Sequence, residues 1–227
     1  MTSGTSTGSV QAVLFDWDGT LVDTGDILLR CWHVMTERVL GYRFPVDEAD
    51  RRKFLAMRGA DSFPLLANSP EQLKAMEDGF TAAYLELAPV TLRVYDGATE
   101  LLARLQREGV RTGVVTSKTR ERFECDAEIS GLTAHLDVII TGDDVAKAKP
   151  DPEGVWAGLT ALNIGADHAW FVGDSPADVK AGKAAGLVTV ALTYGLHHEE
   201  EFQDLDPSYV IHSTADLSAL LFGQTSD

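Results

Sequence analysis

The sequence is poor in cysteine, in positive charge and in long apolar runs. Only two cysteines, Cys31 and Cys125, occur in 227 residues, with no C-x-x-C pair and no metal-site Cys/His spacing around them. That argues against a disulfide-stapled secreted fold and a zinc module, and a reduced, cytoplasmic protein is the expectation. No stretch approaches the roughly 20 apolar residues of a membrane span. Met1–Ser9 (MTSGTSTGS) has neither a basic nor an apolar region, so it reads as a short disordered leader over 1–9 and not as a secretory signal. Lys and Arg number 19 against 35 Asp and Glu, a formal net charge of -16. Such a balance argues against nucleic acid and anionic membranes as partners. It would also repel an anionic substrate, so a phosphate site here must supply its own local positive charge.

What is present is an ordinary globular composition, 44% hydrophobic, long enough for one large domain or a core with a smaller companion. The apolar run Val10–Phe15 ends in Asp16-Trp17-Asp18 and a Gly19-Thr20 turn, the pattern of a buried strand whose end meets solvent. Helical spacing follows over Ile27–Leu40, Glu48–Met57 and Pro70–Leu87, with nothing strand-like from about 24 to 90. After Pro89 the pattern alternates. Helices are expected over Thr99–Glu108, Arg120–Ile129, Pro152–Leu162 and Ala177–Ala185, and strands over Arg111–Thr116, Leu136–Ile140, Ala169–Val172 and Val188–Leu192. Tyr209–Ile211 and Leu217–Leu221 add a last strand and helix. Alternation of this kind implies right-handed βαβ units. The expected fold is therefore an α/β, Rossmann-like, doubly wound parallel sheet interrupted after its first strand by an all-helical insert.

Ligands of open parallel sheets bind beyond the carboxyl ends of the strands. Those ends carry Asp16 and Asp18, then Thr116-Ser117-Lys118, then Thr141–Asp144 followed by Lys147 and Lys149, then Gly173-Asp174-Ser175 with Asp178 one turn later. Several carboxylates at one point raise one another's pKa, which a hard cation such as Mg²⁺ relieves. Ser117 and the N–H groups of Trp17, Asp18 and Lys118 can cradle phosphate oxygens, and Lys149 supplies a compact positive charge. Asp16 could attack phosphorus to form an aspartyl-phosphate. Asp18 could protonate the leaving oxygen and then deprotonate water.

The run Phe15–Asp23 (FDWDGTLVD) resembles the first motif of the haloacid dehalogenase superfamily. Ser117 matches its second motif, Lys149 its third and Gly173–Asp178 (GDSPAD) its fourth, in order. The resemblance implies a catalytic core over 10–22 and 92–227 and a C1-type helical cap over 23–91 that closes on the site. It also implies Asp16, Asp18, Asp174 and Asp178 as the metal set. At the position of Asp18 a Tyr would imply dehalogenation and an Ala phosphonate hydrolysis; Asp implies a phosphatase or phosphomutase. The runs Val115–Arg120, Asp143–Val145, Lys149–Pro152 and Leu192–Gly195 are most similar to phosphoglycolate phosphatases and their inorganic pyrophosphatase relatives. The implied substrate is a small phosphorylated metabolite, with monomer or homodimer left open. Trp17 stands where Leu or Met is usual, and its side chain is expected to point away from the phosphate. Arg58-Gly59-Ala60-Asp61-Ser62 lacks the Arg that follows Gly in sugar-phosphate mutases.

Plainer readings stand beside these. Lys147 rivals Lys149, though Pro150 favours Lys149. Asp178 could touch the metal or support its neighbours. Arg58 could contact substrate or cap a solvated helix end. His197-His198 reads as an exposed turn, since adjacent residues do not share a helix face. Cys31, Trp156 and Trp170 read as packing. A phosphomutase of the β-phosphoglucomutase type and a non-catalytic phosphometabolite-binding module are the alternatives, the second disfavoured by an intact Asp18.

Overall fold

The computed structural model describes residues 10–55 and 57–223; the leader expected over 1–9 lies outside them. The chain opens with strand β1 (Ala12–Phe15), turns into the two-residue β2 (Val22–Asp23) and enters helices α1 (Gly25–Leu40), α2 (Glu48–Leu55), α3 (Gly59–Ser62) and α4 (Pro70–Thr91). It returns through β3 (Arg93–Val94), which pairs antiparallel with β2. The helical segment therefore leaves and rejoins the sheet at one place. These two short strands are below the length at which side-chain alternation can be read from sequence.

The remainder alternates as expected: α5 (Ala98–Arg107), β4 (Arg111–Val115), α6 (Arg120–Ser130), β5 (Val138–Ile140), α7 (Glu153–Leu162), β6 (Ala169–Gly173), α8 (Pro176–Ala185), β7 (Val188–Leu192), β8 (Tyr209–Ile211) and α9 (Thr214–Phe222). Six strands form one sheet in the order β5-β4-β1-β6-β7-β8, with every neighbouring pair parallel. The two-residue period of a strand sorts β1 onto both faces. Val13 and Phe15 join α5 and α9 residues such as Leu102 and Leu217 on one side. Ala12 and Leu14 join α7 and α8 residues such as Val155 and Ala181 on the other. A central parallel strand is buried on both sides, which is why it reads as a continuous apolar run.

Two expectations about helices are corrected. Pro89 does not end the helical segment: α4 runs through it to Thr91. Only the bond to the Leu85 carbonyl is forfeited so near the helix end, while buried Ala88 accepts the Leu92 N–H at 2.9 Å. Trp156 is not packed inside. α7 turns Val155, Leu159 and Leu162 inward, and Trp156, one position round the helix, is 52% exposed. Trp170 is buried and stacked on Tyr209 as expected, and Cys31 is buried among α1 and α4 side chains, its thiol pushed up to about 12 by burial.

The helical segment has a hydrophobic cluster of its own, centred on Trp32. Its ring meets Phe54, Phe63 and Phe80 edge-on at centroid distances of 5.6, 5.1 and 6.0 Å. Aromatic edges carry partial positive charge and faces partial negative charge, so this arrangement adds to simple area burial. Trp32→Ala should cost about 3–5 kcal/mol in urea unfolding. A loss below ~1 kcal/mol would show that the ring cluster does not hold these helices together.

Candidate active site

The edge of the sheet where β1 meets β4 on one side and β6 on the other is the place where strand order reverses, and a cleft opens there. Its volume is about 160 Å³, and its floor carries Asp16, Asp18, Ser117, Lys118, Lys149 and Asp174. Asp16 and Asp18 follow β1 directly. Asp174 follows β6, and Lys149 arrives on the loop after β5. The turn after Asp18 needs glycine twice over. Gly19 has φ 74°, and a Cβ there would collide with the Asp174 carboxylate. Gly195, after β7, is pressed against the same carboxylate and the Gly19 carbonyl.

Three buried carboxylates, on Asp16, Asp174 and Asp178, each offer an oxygen within 4.8 Å of the others. Lys149 Nζ stands 2.7 Å from Asp16 Oδ1 and 2.6 Å from Asp178 Oδ1. Burial, which alone would lower the pKa of Lys149, is outweighed by these two carboxylates, and the ammonium is held raised and charged. Burial, reinforced by the charge of Asp178, pushes the Asp16 carboxyl up to about 8 despite Lys149. Asp174 is likewise raised, first by burial. Asp16 Oδ1 is buried with no in-line hydrogen bond, the lysine contact being off axis. Oxygen donors and surplus negative charge, three carboxylates against one lysine, fit a hard divalent cation such as Mg²⁺. Asp178 is the most committed of the three: Oδ1 accepts from Lys149, and Oδ2 from the Ser175 hydroxyl at 2.6 Å and N–H at 3.0 Å, in a capping box at the start of α8. Lys147, the rival lysine, is exposed and lies 3.8 Å from Asp151.

On the other side of the cleft lies a buried network with no counterpart in the sequence expectations. Lys118 Nζ donates to Asp18 Oδ1 at 2.7 Å, to the Tyr84 hydroxyl at 2.6 Å and to Asp126 Oδ2. Tyr84 donates to Asp126 at 2.9 Å, and Trp17 Nε1 donates to Asp126 Oδ2 at 3.0 Å. Trp17 is fully buried and packs on Phe123, so its side chain does point away from the cleft, as expected. Lys118 enters through its side chain. The N–H expected to serve a phosphate already has an internal acceptor, Thr116 Oγ1 at 3.2 Å. Asp126 was detectable as a carboxylate three residues after Phe123, on the inward stripe of α6. Burial raises its carboxyl against the opposing pull of Lys118, and burial with the charge of Asp18 raises the Tyr84 phenol.

The helical segment lines the cleft with Met57, Arg58, Gly59 and Phe63. Arg58, however, is held in a two-pronged pair with Asp61, at 2.7 and 3.0 Å. Arg122, from the first turn of α6, also lines the cleft and was not singled out from sequence. His197 is a correction. It is 7% exposed, not part of an exposed turn. Its Nδ1 lies 3.7 Å from Asp174 Oδ2. Burial would lower its pKa, but the Asp174 carboxylate outweighs that and raises it. Only His198 is exposed, capping a one-turn helix over Glu199–Phe202. Adjacent residues on a turn face opposite ways, and the Leu196 N–H, donating to Asp174 Oδ2 at 2.6 Å, holds this turn against the carboxylate so that His197 turns in.

Asp16 generates a pH-dependence of stability. Its folded pKa of about 8 exceeds its ordinary 3.8, so its contribution is complete below pH ~4 and is lost as pH rises through about 8. With divalent ions chelated, Asp16→Asn should melt above the parent at pH 9, by roughly 2–4 °C for each kcal/mol involved. The gap should shrink toward acid pH. A gap that stays constant with pH would show that Asp16 titrates as an ordinary carboxylate.

Comparison with known proteins gives a consistent set of relatives. The sequence profile of the haloacid dehalogenase-like hydrolases matches residues 13–192. The chain is 34% identical over 196 residues to the N-acetylmuramic acid 6-phosphate phosphatase of Pseudomonas aeruginosa, covering 85% of each chain. It is 27% identical over 215 residues to pyrophosphatase PpaX of Listeria monocytogenes, covering 95% of this chain and 98% of that one. Its fold is similar to that of CbbY from Rhodobacter sphaeroides in complex with xylulose-(1,5)bisphosphate, with a TM-score of 0.80, 25% identity and coverage of 92% and 96%. Among the described residues no helix is long and apolar enough to cross a membrane. With its parallel six-stranded sheet and its carboxylate cleft at the strand ends, this chain belongs to the haloacid dehalogenase-like hydrolase family and is a phosphatase.

Proposed function

We propose that this phosphatase hydrolyses a small phosphorylated acid or pyrophosphate through an aspartyl-phosphate on Asp16. The observation that carries the reading is the convergence of Asp16, Asp18, Ser117, Lys149 and Asp174 on one cleft. Asp16 and Asp174, with the Asp18 main-chain carbonyl, would hold a Mg²⁺ ion. When bound, the ion supplies neutralisation of the carboxylates and of charge on the transferring phosphoryl group. Asp178 supports the site through Lys149, whose ammonium faces Asp16 and the phosphoryl oxygens. Ser117 and the N–H groups of Trp17 and Asp18 hold the remaining oxygens.

The Asp16 carboxylate attacks phosphorus, and the bond to the leaving oxygen breaks as Asp18 gives that oxygen a proton. Asp18 then takes a proton from water, whose oxygen attacks the same phosphorus and returns Asp16 with inorganic phosphate. Lys118 engages Asp18 Oδ1, and among the described residues no donor engages Oδ2, which is the atom left for the substrate. Helices α1–α4, residues 23–91, act as a cap that shields the aspartyl-phosphate from bulk water. The volume supports a small substrate: about 160 Å³ is below the roughly 300–1,000 Å³ of sites for drug-sized ligands. Acidity follows from the relatives. Pyrophosphate, N-acetylmuramic acid 6-phosphate and xylulose bisphosphate each carry an acidic group besides one phosphoryl group.

The test is phosphate release, without a bisphosphate activator, from pyrophosphate, phosphoglycolate, N-acetylmuramic acid 6-phosphate and hexose phosphates. The first two should rank above hexose phosphates in kcat/KM. Activity should vanish in EDTA and return with Mg²⁺. Asp16→Asn should lose at least ~10³-fold in kcat. Full turnover in excess EDTA, or a few per cent of activity surviving in Asp16→Asn, would overturn the mechanism; N-acetylmuramic acid 6-phosphate ranking first would overturn the small-substrate reading.

Asp18→Asn separates acid help from nucleophilic attack. The variant should be slower by about 10²–10⁴-fold on alkyl phosphates. On p-nitrophenyl phosphate, whose leaving group departs without a proton, the loss should be much smaller. Equal losses across leaving groups would remove Asp18 from the acid role.

A further inference from the structure

The positive charges of the cleft can be accounted for one at a time. Lys149 is committed to Asp16 and Asp178, and Lys118 to Asp18 and Asp126. Arg58 spends its fork on Asp61. Arg122 is different. Its Nε donates to Thr119 Oγ1 at 3.0 Å, and among the described residues no carboxylate lies within ion-pair distance of it. Its guanidinium carbon sits 5.4 Å from the centre of the Phe80 ring and 5.8 Å from that of Tyr84. Two aromatic rings thus flank a half-buried guanidinium while leaving most of its donors unused. Phe80 belongs to α4, so Arg122 lies where the helical segment meets the core, on the side of the cleft away from Lys149 and the carboxylate cluster.

We infer that Arg122 is the specificity residue of this phosphatase and grips a second anionic group, phosphate or carboxylate, on the leaving-group part of the substrate. The inference rests on the phosphatase reading above and assigns to Arg122 the substrate contact that the sequence offered as one of two readings of Arg58. A planar fork with parallel N–H groups matches the two oxygens of a carboxylate or phosphate. The two rings around it carry no competing negative charge. In a chain with a net charge of -16, a cation with no carboxylate partner among the described residues is what draws an anionic leaving group into an otherwise acidic cleft. Arg122 and Ser117 lie five residues apart on either side of the start of α6, so one loop-and-helix unit would grip both ends of a short substrate.

Arg122→Met keeps the aliphatic stem against Phe80 and removes the charge; Arg122→Lys keeps a charge and loses the fork. Steady-state kinetics with Mg²⁺ on pyrophosphate, phosphoglycolate and p-nitrophenyl phosphate give the readout. In Arg122→Met the kcat/KM ratio of the first two over p-nitrophenyl phosphate should fall at least about tenfold, mainly through KM, as for lost substrate binding. Arg122→Lys should recover part of it. A fall confined to pyrophosphate would identify a phosphate as the second group, and one confined to phosphoglycolate a carboxylate. An equal loss on all three substrates, or an unchanged ratio, would overturn the inference and leave Arg122 a clamp between α4 and α6. Calorimetric binding of pyrophosphate to Asp16→Asn, with and without Arg122→Met, judges Arg122 separately from turnover. Affinity should weaken about tenfold or more, and equal affinities would reject the assignment even if the parent hydrolyses every substrate. A parent that releases phosphate from none of them would instead reject the phosphatase mechanism.

Discussion

Three carboxylates buried within reach of one another, with one lysine between two of them, set the terms for the rest of this molecule. Like charges in a low-dielectric site repel strongly, and an isolated carboxylate pays a desolvation cost of several kcal/mol. The carboxyl of Asp16, pushed up to about 8, registers that tension. Such a cluster survives only where rigid backbone holds it. Here Asp16 and Asp174 leave the ends of two neighbouring central strands paired in register, Phe15 opposite Val172, and Asp178 is anchored by the first turn of a helix capped by Ser175. The glycines at 19 and 195 admit the backbone that closes around Asp174. A cation-binding, phosphate-handling site is the chemical use to which stored repulsion of this kind is suited.

A second buried charge cluster faces the first across the cleft and does different work. Lys118, Asp126 and Tyr84 satisfy one another and reach Asp18, while the Trp17 indole donates to the same Asp126 oxygen that Lys118 engages. Tyr84 belongs to α4 and Asp126 to α6, so the network is a polar seam between the helical segment and the sheet core. Buried polar networks rigidify when every member has a partner. The proposed general acid is therefore oriented by a lysine whose own position depends on a residue of the proposed cap.

Much of this was legible in the chain. The strand-helix alternation, the insertion after β1 and the order of Asp16, Ser117, Lys149 and Asp174 along successive strand ends follow from period, turn residues and motif spacing. Boundaries drifted where packing overrode local preference, as at Pro89. Trp156 and His197 were misplaced for a common reason. Whether a residue next to a known element points inward depends on rotation about that element's axis, and one position of rotation separates an exposed Trp156 from a buried Val155.

The sequence by itself determined the sheet, its interruption and the groups at the strand ends, because these depend on local periodicity and on the rule that parallel strands deliver their ends to one edge. Only the tertiary structure decided which charges are spent and which are free. Arg58 and Arg122 each have an aspartate within one helical turn, Asp61 and Asp126, and spacing alone does not say that the first pair forms while Arg122 rests on aromatic rings. Other pairings depend on distances between elements far apart in sequence: Lys118 meets Tyr84 across 34 positions and Asp18 across 100. Electrostatic roles of this kind arise from the sum over all neighbours in space, and that sum exists only once the chain has folded.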